Sequence, residues 1–228
     1  MVRIDFTDEY KQLPWQIPLF RDLDMNVKRR LMDELDVVLY KVSRKEVVLQ
    51  QDTRCNHLYV LLKGELEVNI IDVAGNQVKV EEIIAPRAFA TPHLFGGNNI
   101  LPATFTASKE SVLLMATRSS VFKLLSSVPQ LLHSFLCVTG NCNKCTITRL
   151  RILSYKNLRS RFIYYLMEHC TSGYTALLEH NQAQLAEYLG VTRPALSKEI
   201  NKMIREGLIS ADKREVTLLD VQGLKRYI

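Results

Sequence analysis

The segment Asn181–Ile200 contains the residues that most clearly suggest a function. Leu185, Ala186 and Leu189 recur at helical spacing and form the inner face of a short helix, in which the small Ala186 lets a second helix cross close by. Gly190 follows where a left-handed residue is needed to turn the chain. The pattern predicts two short helices joined by a tight turn.

The second of these helices presents small and basic residues to solvent. Thr192 can cap it, and Pro194 is tolerated in its first turn. Leu196, Ile200 and Met203 then face inward. The outward residues suit a helix that enters the major groove of DNA, and with Thr192 they form the predicted DNA-contacting surface: Arg193, Ala195, Ser197, Lys198 and Lys202. An ordinary helical hairpin is the alternative.

A basic hairpin is predicted directly after these helices. Within the segment Gly207–Leu219, two short strands flank Ala211–Arg214. Lys213 and Arg214 lie at the predicted tip, where they can reach phosphate. Positive charge concentrates in the same part of the chain, because residues 146–228 hold 13 Lys and Arg against 8 Asp and Glu, whereas residues 1–145 hold 17 against 16. Localised positive charge favours nucleic acid as the partner.

Composition predicts a globular protein that stays in the cytoplasm. The 228 residues are 47% hydrophobic and 24% charged, with a net charge of +6. The sequence contains neither an apolar run of about 18 residues nor the apolar stretch of a signal peptide. Five cysteines at irregular spacing argue against a disulfide framework. A phosphate-binding glycine loop, a nucleophile elbow and a metal-spaced histidine motif are also missing, so we do not expect an enzyme.

Two further kinds of element precede the basic region. A short helix is expected over Leu23–Leu35, and a helix over residues 129–154 carries an apolar seam that predicts dimerisation. The predicted seam residues are Leu131, Phe135, Val138, Cys142, Cys145 and Ile152. Packing of this helix on its own domain is the alternative. Between the two helices the apolar period changes to two, and β-rich runs are expected at Val37–Val42, Val47–Gln50, His57–Leu62, Glu65–Asp72, Gln77–Ile84, Thr104–Ser108 and Val112–Thr117.

The order of these parts resembles the cyclic-AMP receptor protein / fumarate-nitrate regulator (CRP/FNR) family of bacterial transcription factors. The sequences that carry the resemblance are Leu58–Val68 in the strand-rich part and Thr192–Glu199 in the second helix. The resemblance implies an α+β fold: a cyclic-nucleotide-binding-like jelly roll or barrel over residues 1–126, a dimerisation helix over 127–154 and a winged helix-turn-helix over 155–228.

The resemblance also implies how such a protein would work. Family members read palindromic DNA as homodimers, and RNA polymerase is the expected protein partner. Arg193 matches the family arginine that contacts guanine, and Lys198 replaces a second arginine. Pro194 stands where many relatives have a base-reading glutamate, so the sequence preference should differ. A ligand- or redox-sensing module whose C-terminal helices contact protein instead of DNA is the alternative function.

The effector region departs from the family pattern. Cyclic-nucleotide binders hold the phosphate with an arginine and backbone amides, but the stretch from Phe89 to Ser108 contains no charged residue, and Pro92 and Pro102 each remove an amide donor. We therefore expect that cyclic AMP is not the effector, with Lys79, Arg87 and Lys109 as the nearest cations outside the stretch. A pocket for another ligand would use Phe89, Thr91, His93, Phe95 and Thr104, and a filled core is the alternative.

The cysteines suggest a different kind of sensor. Cys137, Cys142 and Cys145 have the C-x4-C-x2-C spacing of some iron–sulfur proteins. On one helix, however, Cys137 and Cys142 point about 140° apart, so small residues at a tight helix crossing are the favoured interpretation. His57 and His93 are isolated candidate ligands. The cofactor is left unknown, with an iron–sulfur cluster or haem still open.

Overall fold

The computed structural model describes residues 1–171, 173–178 and 180–228, and within these ranges the side chains of all residues except 32 and 143–146. The chain forms two compact units, Met1–Asn143 and Lys144–Ile228. The boundary falls inside the longest helix. Each unit has its own hydrophobic core.

The first unit is mostly antiparallel sheet. Its elements are β1 (Val2–Ile4), α1 (Asp8–Lys11), a 3-10 turn (Leu13–Gln16), α2 (Met25–Glu34), β2 (Val37–Val42), β3 (Val47–Leu49), β4 (His57–Lys63), β5 (Glu65–Ile71), β6 (Gln77–Ile84), β7 (Arg87–Phe89), α3 (Thr91–Leu94), β8 (Thr104–Ala107), β9 (Ser111–Thr117), α4 (Arg118–Ser127) and the first part of α5 (Pro129–Ser154). The strands form two sheets in the orders β1-β2-β9-β4-β7 and β3-β8-β5-β6.

The core of this unit lies between the two sheets. The central strand β9 pairs with β2 and β4 on its two sides, so Leu114 lies opposite Leu39 in one strand and Val60 in the other. Leu66 and Phe105 of the second sheet are buried in the same cluster. Gly64, between β4 and β5, has φ +92°, and a side chain there would meet the Glu110 carbonyl oxygen at 2.6 Å. Only glycine allows this close approach.

Two helices follow the last strand of the first unit. Thr117 caps α4 by accepting a hydrogen bond from the Ser120 amide (3.4 Å). Val128 ends α4 in an extended conformation, and Pro129 opens α5, a position where a missing amide hydrogen costs nothing. Val121, Leu124 and Leu125 bury the inner face of α4.

The second unit combines short helices with a small sheet. Its elements after α5 are α6 (Leu158–Glu168), β10 (Thr175–Leu177), α7 (Gln182–Tyr188), α8 (Arg193–Arg205), β11 (Ile209–Asp212), β12 (Glu215–Leu218) and α9 (Val221–Lys225). The strands pair in the antiparallel order β10-β12-β11. Phe162 and Tyr165 of α6 are fully buried and form the centre of the core on which α7 and α8 pack.

The fold class expected from the sequence is confirmed. The predicted strands and the helix over residues 129–154 lie within one or two residues of their observed bounds. The short elements β1, α1, α3, β7, β10 and α9 were not predicted, because runs of three to five residues carry little periodicity. No single helix of the described residues has the length and hydropathy of a membrane span; α4 and α5 reach both only together, across a 119° bend, and buried core helices pass the same test.

Candidate nucleic-acid interface

The first helix of the predicted pair begins with a reciprocal cap. The Asn181 side chain accepts hydrogen bonds from the amides of Ala183 and Gln184, both at 3.0 Å. The Gln184 side chain accepts one from the Asn181 amide at 3.0 Å. This capping box satisfies donors that a helix start otherwise leaves unpaired. The Asn-x-x-Gln spacing signals the box in the sequence.

The turn after α7 is closed by glycine and by an arginine from α6. The Gly190 amide donates to the Glu187 carbonyl (3.1 Å), and the Val191 amide donates to the Ala186 carbonyl (2.9 Å), which together form a Schellman motif. Gly190 has φ +69°, as this motif requires. Arg161 donates to the Leu189 carbonyl (3.0 Å) and to that of Tyr155 (2.9 Å). These contacts fix the point where α8 begins.

Helix α8 has the two faces that the sequence predicted. Thr192 accepts a hydrogen bond from the Ala195 amide (3.4 Å) as its N-cap. Leu196, Ile200 and Met203 are buried in the core of the second unit. Among the predicted DNA-contacting residues of this helix, Ser197 is half-buried, and the exposed ones are Thr192, Arg193, Ala195, Lys198 and Lys202.

A single arginine holds α8 from its inner side. Arg159 of α6 donates to Glu199 (2.5 Å) and makes two hydrogen bonds to Glu206 (2.7 and 3.2 Å). Its guanidinium also lies 5.0 Å from the ring centroid of Tyr227. The hydrogen bonds to Glu206 are the main cause that raises the Arg159 pKa, and they lower the pKa of the Glu206 carboxyl. The role of Arg159 could not be predicted from the sequence, because its partners lie 40 and 47 positions away.

The hairpin after α8 places two cations at its tip. Strands β11 and β12 pair with Asp212 opposite Glu215, which leaves Lys213 and Arg214 as the turn. Both are exposed, and Lys213 has φ +52°. The Arg214 carbonyl accepts a hydrogen bond from the Leu178 amide (2.7 Å), which ties the tip to the segment after β10.

The charges of this surface are available to a polyanion. Arg193, Lys198 and Lys202 form no ion pair with any residue whose side chain the structure describes, whereas the carboxylates of Glu199 and Glu206 are occupied by Arg159. Guanidinium and ammonium groups on an exposed helix can donate to phosphates and to base edges. Within the described ranges, no group of three or more His, Cys, Asp or Glu could hold a metal ion.

Comparison with known proteins matches both parts of the chain. Residues 160–227 match the family model of the Crp-like helix-turn-helix domain, and residues 40–128 match that of the cyclic nucleotide-binding domain. This chain belongs to the CRP/FNR family. It is a DNA-binding transcription regulator of the CRP/FNR type.

Similarity to individual CRP/FNR proteins is distant but spans most of the chain. The transcriptional regulatory protein btr of Bordetella pertussis is 21% identical over 86% of this chain and 84% of its own. The global nitrogen regulator of a Nostoc species is 23% identical over 79% of this chain and 85% of its own. A solved structure of a CooA variant from Carboxydothermus hydrogenoformans superimposes with a TM-score of 0.61 at 19% identity, covering 86% of this chain and 89% of that one.

The predicted effector residues of this CRP/FNR chain fall into two different aromatic clusters. Phe89 packs against Tyr59 and Phe105 between the sheets, with ring centroids 5.7 and 5.4 Å apart. Phe95 instead contacts Phe122 and Phe135, at 5.9 and 5.6 Å. Aromatic side chains therefore fill the interior beside Phe89.

The polar residues predicted for the effector pocket also differ in their surroundings. Thr91 is buried, and its hydroxyl has no hydrogen-bond partner among the described residues. Thr104 accepts a hydrogen bond from the Gln51 amide (3.1 Å). Burial lowers the pKa of His93, so its imidazole is neutral at physiological pH.

The cations that flank the effector region are already paired. Arg87 contacts Glu81 (2.7 Å), Lys79 lies 3.9 Å from Glu82, and Lys109 pairs with Glu65. A bound cyclic phosphate would have to compete with these carboxylates.

The residues of the predicted dimer seam need correction. Leu131 and Phe135 are buried in the core of the first unit, and Ile152 is buried in that of the second. These three contact their own chain and are not exposed to a second copy. Val138 and Cys142 are half-buried, and the side chain of Cys145 lies outside the described residues. The exposed apolar residues of α5 are Leu132, Leu136, Ile147 and Leu150.

Proposed function

We propose that this chain is a homodimeric, sequence-specific transcription regulator that reads a palindromic operator and responds to an effector other than cyclic AMP. In this proposal it acts in the cytoplasm with RNA polymerase as its protein partner, and it catalyses no reaction. The observation that carries the proposal is the exposed and unpaired cationic face of α8, whose start is set by Thr192 and by the turn at Gly190. Such a helix can enter the major groove.

Exposed apolar residues on α5 support dimerisation. Leu132 and Leu136 are 39% and 59% exposed, and Ile147 and Leu150 are 64% and 63% exposed. Since each residue of a regular helix advances about 100°, Leu132 and Leu136 share one side of α5 within the first unit, and Ile147 and Leu150 share one side of it within the second. An apolar stripe on the outside of a long helix is typical of a helix that pairs with a copy of itself. Dimerisation doubles the number of base contacts.

The pairing of cations around the effector region supports a ligand other than cyclic AMP. Residues 89–108 carry no charge, and the three nearest cations contact carboxylates. An unpaired phosphate buried there would cost several kcal/mol. Calorimetric titration of cyclic AMP should therefore show no binding at tens of micromolar, and the nucleotide should leave operator affinity unchanged. Micromolar binding with a gain in DNA affinity would contradict this part of the proposal.

Selection of DNA sequences from a random pool tests the DNA-reading function. We expect an enriched palindrome, and we expect Arg193→Ala and Lys198→Ala each to weaken binding to it by about 1–3 kcal/mol per half-site while relaxing preference at one base position. Arg226→Ala serves as the matched control, because it removes an exposed cation of the same unit that lies outside α8 and the β11–β12 hairpin.

Measurements on the β11–β12 hairpin distinguish phosphate contacts from base contacts. Lys213→Ala should weaken binding to selected and unrelated DNA alike, with a shallower dependence on salt, because it removes a phosphate contact. A pool that yields no enriched palindrome, or a selected operator that binds Arg193→Ala as tightly as the unaltered protein, would contradict the proposed function.

A further inference from the structure

A cleft of about 530 Å³ opens beside the start of α4, outside the space between the two sheets. Asn56 and His57 at the start of β4 form one wall, and Thr117 at the end of β9 leads into the other. The residues that line the cleft are Asn56, His57, Thr117, Arg118, Ser119 and Phe122. None of them belongs to the predicted effector pocket.

The cleft contains a cation that the protein leaves without a carboxylate. Arg118 is exposed and forms no ion pair with a residue whose side chain is described. Its guanidinium lies 5.5 Å from the ring centroid of Phe95, which orients it without neutralising it. The residue is also the first of α4, a ten-residue helix whose amino end carries partial positive charge. These features favour an anionic group.

An aromatic surface lies next to this cation. The Phe122 ring is 60% exposed, and its centroid is 5.9 Å from that of Phe95. The open face of this ring gives the cleft an apolar surface. The Asn56 amide and the Ser119 hydroxyl add neutral hydrogen-bonding groups. A ligand that fits this combination has an acidic group for Arg118 and a flat apolar ring for Phe122.

We propose that this cleft binds a small organic anion with an aromatic ring and that it is the effector site of the regulator. The effector role, although not the binding itself, rests on the proposed function. The space between the sheets is less suited to this role because Tyr59, Phe89 and Phe105 fill it.

A contact path leads from the cleft to the long helix. The Phe95 ring touches Phe122 on one side and Phe135 of α5 on the other, with centroids 5.9 and 5.6 Å apart. A ligand that stacks on Phe122 therefore lies one ring away from α5. Any shift of the Phe95 ring is passed to the helix that we propose as the dimer contact.

Fluorine NMR of small aromatic acids tests the binding site without DNA. The probes are 4-fluorobenzoate, 4-fluorophenylacetate and 4-fluorophenyl phosphate, with 4-fluorobenzyl alcohol as the uncharged counterpart. We expect at least one acid to bind with Kd below about 10 mM, a fragment-scale affinity, and to bind about tenfold more tightly than the alcohol. Arg118→Gln should remove that preference for the acid.

The control cation, Arg44, lies near the opposite end of β9 from the cleft. Arg44 is exposed, two residues beyond Val42, which pairs with Ser111 at the opposite end of β9 from Thr117. Arg44→Gln should leave acid binding unchanged. If none of the acids binds, or if Arg118→Gln and Arg44→Gln behave alike, the site is wrong.

Operator affinity tests the effector role separately. Adding the acid that binds best should change the affinity of the unaltered protein for its selected operator by about threefold or more, and should not change that of Arg118→Gln. Acid binding with unchanged operator affinity would overturn the effector role. Failure to bind any selected operator both with and without the acid would instead count against the proposed function.

Discussion

At the scale of single residues, Arg159 holds in place the helix that we propose contacts DNA. Its side chain is 12% exposed and connects α6 with the middle of α8 at Glu199 and with its C-cap at Glu206. Two of the carboxylates that would repel DNA phosphates are occupied by this one guanidinium. Arg159 is therefore a positioning residue that acts through α8 and contributes no exposed donor of its own.

Replacing Arg159 tests this role through stability and its pH dependence. Arg159→Gln should lower the thermal midpoint of the second unit by a few degrees at neutral pH, because Glu199 and Glu206 lose their partner. The Glu206 carboxyl has a lowered pKa in the folded state, mainly through its hydrogen bonds to Arg159. The stabilisation is then complete above the unfolded carboxyl pKa of about 4.3 and is lost as the pH falls through the lower folded value.

The difference in thermal midpoint between Arg159→Gln and the unaltered protein should therefore shrink as the pH falls. Calorimetric scans between pH 7 and pH 3 measure it, and Arg226→Gln, which removes a nearby exposed cation, should leave the midpoint unchanged. A difference that stays constant over this range would mean that the ion pair is not its cause.

The cysteines offer a second test at this scale. Cys55 is fully buried, and burial raises the pKa of its thiol to about 11. Cys137 is exposed. At pH 8 we expect iodoacetamide to label Cys137 within minutes, whereas Cys55 is labelled only when the first unit unfolds, since the thiolate is the reactive form. Peptide mass spectrometry of the labelled protein checks this, and prompt labelling of Cys55 would contradict the burial described here.

At the residue scale, the exposed side of a helix can be predicted from local spacing. Arg193, Lys198 and Lys202 were predicted to face outward because Leu196 and Ile200 fix which side of the helix is buried, and the structure exposes all three. The role of Arg159 was not predicted, because a partner distant in sequence leaves no periodic signal. The Phe122 ring at the cleft was missed for the same reason, since its exposure depends on how β4 and α4 meet.

At the scale of elements, the turn between α7 and α8 depends on one backbone conformation. Gly190 has φ +69°, and a β-carbon there would lie 3.3 Å from a methyl group of Leu153. We expect Gly190→Ala to lower the free energy of unfolding by about 1–2 kcal/mol and to weaken operator binding, since a left-handed residue with a side chain is strained and tightly packed.

Gly140 provides the control, because its replacement should change the free energy of unfolding in the opposite direction. Gly140 lies inside α5, and a β-carbon there would meet nothing within 4 Å. Gly140→Ala should raise the free energy of unfolding by up to about 1 kcal/mol, because alanine is the better helix former. Urea titration of both variants measures the two effects. A destabilising Gly140→Ala would show that the second copy in the proposed dimer packs closely against this position.

For helix α5, the sequence does not predict which face is buried. Its bounds were predicted closely, but its apolar residues fit two adjacent faces with the same spacing. One face contains Leu131 and Phe135, and the other Leu132 and Leu136. Periodicity alone does not say which face packs on the neighbouring sheet. The structure buries the first pair in the core and exposes the second.

At the scale of the whole molecule, the proposed reading of a palindrome depends on pairing two copies. One copy presents one α8 helix, whereas a palindrome requires two half-sites about 34 Å apart to be read together. Specific affinity should therefore follow the oligomeric state, and phosphate contacts should make it fall steeply with salt. Positive charge is concentrated in residues 146–228, so most of the proposed phosphate contacts lie in this part of the chain.

Charge placed on the exposed face of α5 should separate dimerisation from folding. Leu136→Asp puts a carboxylate into the proposed stripe, where it would face its counterpart in the second copy, and burying two like charges is costly. We expect a folded monomer by light scattering, with unchanged circular dichroism and specific DNA affinity reduced at least tenfold. Val73→Asp, at a fully exposed position between β5 and β6, should remain a dimer with normal affinity.

The adjacent residue gives the contrasting outcome. Phe135 is 6% exposed, and its ring contacts Phe95 within the first unit. Phe135→Asp should therefore destabilise that unit by about 3 kcal/mol or more, because it buries a charge and removes an aromatic ring from the core. If Phe135→Asp instead gives a stable monomer while Leu136→Asp remains a dimer, the contact between copies lies on the face that the structure buries, and the exposed stripe of α5 has another purpose.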